Sequence, residues 1–252
     1  MSKRIRYYCY LIISFFVFMF PFQAKAEHFV EKTFLTRKQD ELLAINAAIK
    51  NEYEFKILGK KFIGLPGVFS PMVFGGDGMV TKTLSLQKGL KILEIGSGTG
   101  YFSVFSALNG ARKVVAVDIC EAAVENTLRN AKLHQVESKI DARKGDMFSV
   151  IGPYEKFDVI FWDIPFNHTE KSNLTVLERS IYDPNCHLLT RFLNEAPLYL
   201  KPHGIAYLVY SPTHGNVDYF YAFAKKSGWS VKTIKQWGDP ESIEIALYQL
   251  ER

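Results

Sequence analysis

From residue 88 onward, short apolar and β-branched runs alternate with stretches of helical periodicity. Runs at 91–95, 113–117, 139–144, 157–162, 204–210, 229–236 and 242–250 have the length of strands. Segments near 101–109, 121–135, 186–199 and 216–227 repeat apolar residues at helical spacing. Alternation of strand and helix predicts an α/β fold: a mostly parallel seven-stranded sheet with helices on both faces. Only Trp237 to Glu241 separate the last two strands, too few residues for a crossover helix, so the last strand should run antiparallel. Ahead of this region, Leu42, Leu43, Ile45, Ala48 and Ile49 predict a helix within 36–51, and 53–65 reads as a hairpin around Gly59. A glycine- and proline-punctuated loop follows over 64–78. These readings divide the chain into a small helix-and-hairpin extension, 27–80, and a larger α/β domain, 81–252.

The first 26 residues stand apart. Lys3, Arg4 and Arg6 precede an apolar stretch from Tyr7 to Phe22, and Ala24-Lys25-Ala26 matches a small-x-small cleavage site. These are the three parts of a secretory signal peptide. The apolar stretch is 16 residues long, short of the roughly 20 that a spanning helix needs. Cleavage after Ala26 is the first reading, with a secreted or periplasmic product and no stable membrane span after cleavage; an uncleaved anchor is the second. Translation from Met19 would instead keep the protein in the cytoplasm. The segment carries four basic residues (Lys3, Arg4, Arg6, Lys25) and no acid, so the net charge of +5 falls to +1 without it. No Lys/Arg stripe of the kind that tracks a nucleic-acid backbone remains.

Cys120 and Cys186, the cysteines beyond that segment, have neither a disulfide framework nor metal-ligand spacing, and the histidines add none. The chemistry gathers instead at the carboxyl ends of the expected strands. The run Lys91 to Ile95 passes directly into Gly96-Ser97-Gly98-Thr99-Gly100, which opens onto the helix from Tyr101. Only glycine lets a backbone turn this tightly with a ligand against it. The spacing is G-x-G-x-G with an acid, Glu94, two residues before the first glycine, which differs from the G-x-G-x-x-G of a dinucleotide site. The next strand ends in Asp118, followed by Ile119, where a carboxylate can accept hydrogen bonds from both hydroxyls of a ribose. The third strand leads into Gly145-Asp146-Met147-Phe148, and the fourth into Asp163-Ile164-Pro165-Phe166-Asn167. Ligands in such sheets bind where the winding reverses, between the first and fourth strands.

The glycine turn and its flanking acids resemble the first motif of the class I S-adenosylmethionine (SAM)-dependent methyltransferases. The resemblance implies that Glu94, Gly96, Ser97, Gly98, Gly100, Asp118 and Ile119 hold SAM, with Asp146 taking the adenine amino group and Met147 packing against the ring. Asp163 to Phe166 resembles the Asn/Asp-Pro-Pro-Tyr/Phe motif of the HemK-like glutamine N5-methyltransferases and of the adenine N6- and guanine N2-methyltransferases. It departs from that pattern at Ile164, where proline is usual. The motif implies that Asp163, Pro165 and Phe166 carry the catalytic work on a planar amino nitrogen whose lone pair is delocalised. The absence of a basic stripe favours protein glutamine over a nucleic-acid base as acceptor. An exported SAM-binding protein without turnover is the reading from another class, and the intact Asp163, Pro165 and Phe166 count against it.

Overall fold

The structure, a computed structural model, describes residues 38–76, 78–84, 86–238 and 243–252. The expected signal peptide, residues 1–26, lies outside the described residues. The chain forms two compact units, Met1–Ala44 and Ile45–Arg252. Of the first only 38–44 are described, and they are helical, in a helix α1 that runs over 38–47. Residues 45–80 belong to the same unit as the large sheet. Among the described residues no helix is long and apolar enough to cross a membrane.

Among the described residues nine strands follow α1: β1 Tyr53–Ile57, β2 Lys60–Gly64, β3 Lys91–Ile95, β4 Lys113–Asp118, β5 Ile140–Lys144, β6 Phe157–Asp163, β7 Leu200–Tyr210, β8 Ser230–Trp237 and β9 Ile245–Glu251. The helices among them are α2 Pro71–Phe74, α3 Met79–Thr83, α4 Tyr101–Leu108, α5 Glu121–Leu133, α6 His187–Glu195 and α7 Val217–Lys226. β1 and β2 form the expected hairpin, pairing Phe55 with Phe62 across Leu58-Gly59, both with positive φ (48° and 77°). That is the backbone a two-residue hairpin turn requires.

The other seven strands form one sheet in the order β5-β4-β3-β6-β7-β9-β8. All pairs from β5 to β7 are parallel, and β9 is antiparallel to both of its neighbours. The chain winds outward through β3, β4 and β5, then returns to the other side of β3 as β6. The parallel register sets Ile95 opposite Trp162. Gly96 and Asp163, the next residue on each strand, therefore leave the sheet side by side at the point where winding reverses.

Both faces of the central strands are buried. Leu93, Ile95, Val115, Val117, Ile160 and Trp162 pack beneath α6 and α7 with Leu189, Phe192 and Phe220. Ile92, Val114, Val159 and Phe161 face α4 and the hairpin, where Phe102 stacks on Phe161 at 3.8 Å between ring centroids. This two-sided burial explains why β3, β4 and β6 read as unbroken apolar runs.

Three element boundaries depart from the sequence reading. The strand expected at 204–210, β7, begins at Leu200. Its pairing with β6 jumps from Phe157↔Leu200 to Val159↔Ile205, so the Pro202-His203-Gly204 segment forms a bulge inside the strand. The helix expected over 186–199 ends at Glu195, and a 3₁₀ turn follows over Ala196–Leu198. Pro197 has no N–H with which to continue the ladder. The loop expected over 64–78 contains the short helix α2, started by Pro71 and stopped by Gly75 in the left-handed region.

Candidate active site

The glycine turn is shaped by three positive φ angles: 67° at Gly96, 53° at Gly98 and 76° at Gly100. Each glycine has a different surrounding. A Cβ on Gly96 would lie 3.0 Å from Trp162 Nε1, and one on Gly100 would lie 2.7 Å from Thr127 Cα. One on Gly98 would meet nothing within 4 Å. Gly96 and Gly100 are thus packed against protein, and Gly98 faces open space. The turn is held from β4: Gly96 and Ser97 N–H both donate to Val117 O at 2.8 and 3.2 Å. Ser97 is buried, and its hydroxyl accepts a bond from Thr127 at 3.1 Å.

Asp118 ends β4 and ties two loops together. One carboxylate oxygen accepts Gly98 N–H at 2.9 Å, and the other accepts Cys120 N–H at 2.8 Å just past Ile119. Burial pushes its carboxyl up from the ordinary range, while N–H groups of Cys120, Gly98 and Ile119 pull it down. Three N–H donors leave one of the carboxylate's four lone pairs free, so the group remains able to accept from a ligand hydroxyl.

Glu94 lies beneath the turn, 4% exposed, and accepts a hydrogen bond from Ser103 in the first turn of α4. Burial, opposed by the hydrogen bonds from Ser103 and reinforced by Asp118 and Asp163, pushes its carboxyl up to about 8. Glu94, Asp118 and Asp163 therefore share one electrostatic neighbourhood. Asp163 ends β6 with an exposed side chain, and desolvation by the protein packed around it pushes its carboxyl up to about 7.

The segment after Asp163 is fixed at several points. Ile164 is buried, and its N–H donates to Val209 O at 3.2 Å, carrying the ladder one residue past β6. A proline at 164 has no N–H for this bond. Pro165 is buried, and Phe166 is half-buried, set edge-on to Tyr210 with 6.3 Å between centroids. Asn167 donates backbone and side-chain N–H to Ile181 O, both at 3.0 Å, and its own carbonyl accepts Asp183 N–H at 2.9 Å. The Asp183 carboxylate in turn accepts Leu188 and Leu189 N–H at the start of α6.

Glu94, the glycine turn, Asp118 and Asp163 to Phe166 thus meet at the carboxyl ends of three adjacent strands. Asp146 and Met147 follow β5, on the far side of β4 from β3. Met147 is buried with a φ of 52°, and the Asp146 carboxylate is engaged by Arg191 of α6 at 3.0 and 3.1 Å. Arg191 was not anticipated, since nothing local to residue 146 points to a partner 45 positions away. Asn130, whose side-chain amide donates to Thr99 O inside the glycine turn at 2.8 Å, was also missed. Its signal is present in the sequence, as polar Asn126, Thr127 and Asn130 interleave with Ala123 and Ala131 on one stripe of α5, all of them buried.

The open space at Gly98, with the Asp118 carboxylate against it, leaves a hydrogen-bond acceptor for a ligand hydroxyl. In accord with this, a family profile described as "Methyltransferase domain" matches residues 86–243. A relative from Methanocaldococcus jannaschii, named as a protein N5-glutamine methyltransferase, is 36% identical over 145 residues, covering 56% of this chain and 71% of that protein. A ribosomal protein L11 methyltransferase of Ruminiclostridium cellulolyticum is 38% identical over 77 residues, and the chain spans only 24% of its length. Among solved structures, the T. thermophilus 16S rRNA N2 G1207 methyltransferase in complex with AdoMet and guanosine has a TM-score of 0.57 at 22% identity, over 80% of this chain and 50% of that one. At that identity the likeness is one of fold.

Proposed function

The chain belongs to the methyltransferase-domain family, whose methyl donor is S-adenosylmethionine, and from that premise we propose that it methylates a planar amino nitrogen, the side-chain amide of a protein glutamine. The observation that carries this reading is the position of Asp163 to Phe166 beside the glycine turn, fixed by the pairing of Ile95 with Trp162.

In this reading Gly98 makes room for the donor, Asp118 accepts hydrogen bonds from its ribose hydroxyls, and Asp146, with Arg191, borders the adenine. The donor supplies a methyl group made electrophilic by its sulfonium. The acceptor presents an amide nitrogen with a delocalised lone pair and two hydrogens. Asp163 and a neighbouring backbone carbonyl would accept hydrogen bonds from those hydrogens and so turn the lone pair toward the methyl carbon; as the N–CH3 bond forms, the donor's S–CH3 bond would break to leave a neutral thioether, and the nitrogen would release one of its protons to water. Phe166 stacks on the flat amide, and Tyr210 sets the tilt of that ring. The rest of the task is alignment, and positioning alone can supply roughly 7 to 11 kcal/mol. A protein acceptor is supported by the relative named for glutamine N5-methyl transfer and by the net charge of +1 that follows removal of the four basic residues in 1–26.

Incubation with labelled SAM and fractionated extract tests the proposal. Acid hydrolysis of a protein methylated at glutamine nitrogen releases labelled methylamine, which is the expected product. Label recovered in methylated adenine or guanine after nuclease digestion would move the acceptor to a nucleic acid.

A further inference from the structure

The inward stripe of α5 is polar where a helix packed on a sheet is ordinarily apolar. Asn126 and Asn130 on this stripe are 0% exposed. Both are spent on the backbone of β2 and of Leu65 just past its end. Asn130 Oδ1 accepts Ile63 N–H at 2.8 Å, and Asn126 Oδ1 accepts Leu65 N–H at 2.9 Å. Both side-chain amides donate to Ile63 O, at 2.7 Å from Asn126 and 2.8 Å from Asn130. β2 pairs with β1 along one edge, and these two side chains take the place of a strand along the other. They satisfy groups whose burial without partners would be costly.

The two asparagines differ in one respect. Asn130 uses its second amide hydrogen on Thr99 O at 2.8 Å, so one buried side chain holds both the hairpin and the glycine turn. Asn126 holds the hairpin alone. Thr99 lies between Gly98, whose N–H is bound to Asp118, and Gly100, whose N–H donates to Ser97 O at 2.7 Å. A shift of the Thr99 carbonyl would therefore move both glycines.

We infer that Asn130 is a positioning residue for the cofactor: it couples docking of the β1–β2 hairpin to the shape of the Gly96–Gly100 turn, so that donor binding and hairpin order reinforce each other. This rests on the SAM reading of the turn. Reciprocity follows from linkage, since whatever tightens the turn on one side must tighten the hairpin on the other by the same free energy.

Hydrogen exchange and calorimetry on wild type, Asn130→Ala and Asn126→Ala decide it. Both variants should speed exchange of the Ile63 and Leu65 amides. Only Asn130→Ala should speed exchange at Gly98 and Gly100 in the ligand-free protein, and only it should weaken SAM and its demethylated product by about tenfold, the size of one buried hydrogen bond. Asn126→Ala should stay within about twofold. In wild type, adding the demethylated product should slow exchange at Ile63 and Leu65, a measurement that needs no variant to fold. Equal effects of the two variants on the glycine amides, or a hairpin blind to ligand in wild type, would overturn the coupling. A wild type that binds no SAM would sink the cofactor reading, while the ligand-free exchange comparison would still decide whether Asn130 joins turn and hairpin.

Discussion

Adding one methyl group at Gly98 and at Gly100 should produce opposite failures. Both residues have positive φ, 53° and 76°, so alanine at either costs about 1 to 2 kcal/mol of left-handed strain. A stiffer unfolded chain offsets about 0.4 to 1 kcal/mol of that. At Gly98 no further cost arises, because nothing lies within 4 Å of the new carbon. The net loss of stability should be about 1 kcal/mol. At Gly100 the new carbon would sit 2.7 Å from Thr127 Cα and 2.8 Å from its Cβ. Backbone cannot swing aside as a side chain can, and overpacking of this kind adds about 1 to 3 kcal/mol, for a total of roughly 2 to 4. The methyl at Gly98, however, enters the space assigned to the donor, so Gly98→Ala should lose SAM affinity by at least about tenfold, 1.4 kcal/mol, while remaining folded. Urea unfolding and calorimetry on the two purified variants give both quantities. If Gly100→Ala proves as stable as Gly98→Ala, the packing of α5 against the turn is wrong. If Gly98→Ala binds SAM as wild type does, the donor does not lie on this turn.

Asp118→Ala should weaken SAM by roughly 1.5 to 3 kcal/mol, the value of hydrogen bonds to a charged group, and calorimetry with unchanged affinity would remove Asp118 from the site. The Asp163 carboxyl, raised from 3.8 to about 7, gives two pH effects. If the charged form is the better acceptor, kcat/KM should climb as pH rises through about 7. Because the folded pKa lies above the unfolded one, the group's contribution to stability is complete below about 4 and is lost as pH rises through 7; Asp163→Asn should therefore raise the melting temperature at pH 8 and leave it unchanged at pH 4. At the other end of the chain, N-terminal sequencing of protein from its native cell should find Glu27 first, and a cytoplasmic product beginning at Met19 would refute export.

Features that are contiguous in the chain were legible before folding. β3, the glycine turn and α4 occupy consecutive residues, and Asp118 and Asp163 mark the ends of apolar runs that two-sided burial makes conspicuous. The placement of Asp163 beside Gly96 also followed, because right-handed crossovers allow few other arrangements of this strand-helix order. What stayed hidden depends on contacts between distant segments. The reason for asparagine at 126 and 130 appears only once β2, more than 60 residues upstream, lies against α5. Arg191 reaches Asp146 only after α6 has packed on the sheet. Pro202-His203-Gly204 has the composition of a turn, and only the register with β6 makes it a bulge.

The central claim is that Asp163 holds the acceptor nitrogen, and the measurement that tests it most directly compares SAM affinity with methyl-transfer rate in Asp163→Ala and Asp163→Asn on one identified acceptor at saturating SAM. Asp163→Ala should bind SAM nearly as wild type does, yet transfer methyl at least about a hundredfold more slowly, a loss of roughly 2.7 kcal/mol of transition-state stabilisation. Asp163→Asn keeps an acceptor oxygen of the same shape and should retain far more activity; a general-base role would make it nearly as damaging as alanine. Wild-type turnover in Asp163→Ala would contradict the account, leaving the segment after β6 as a turn and nothing more.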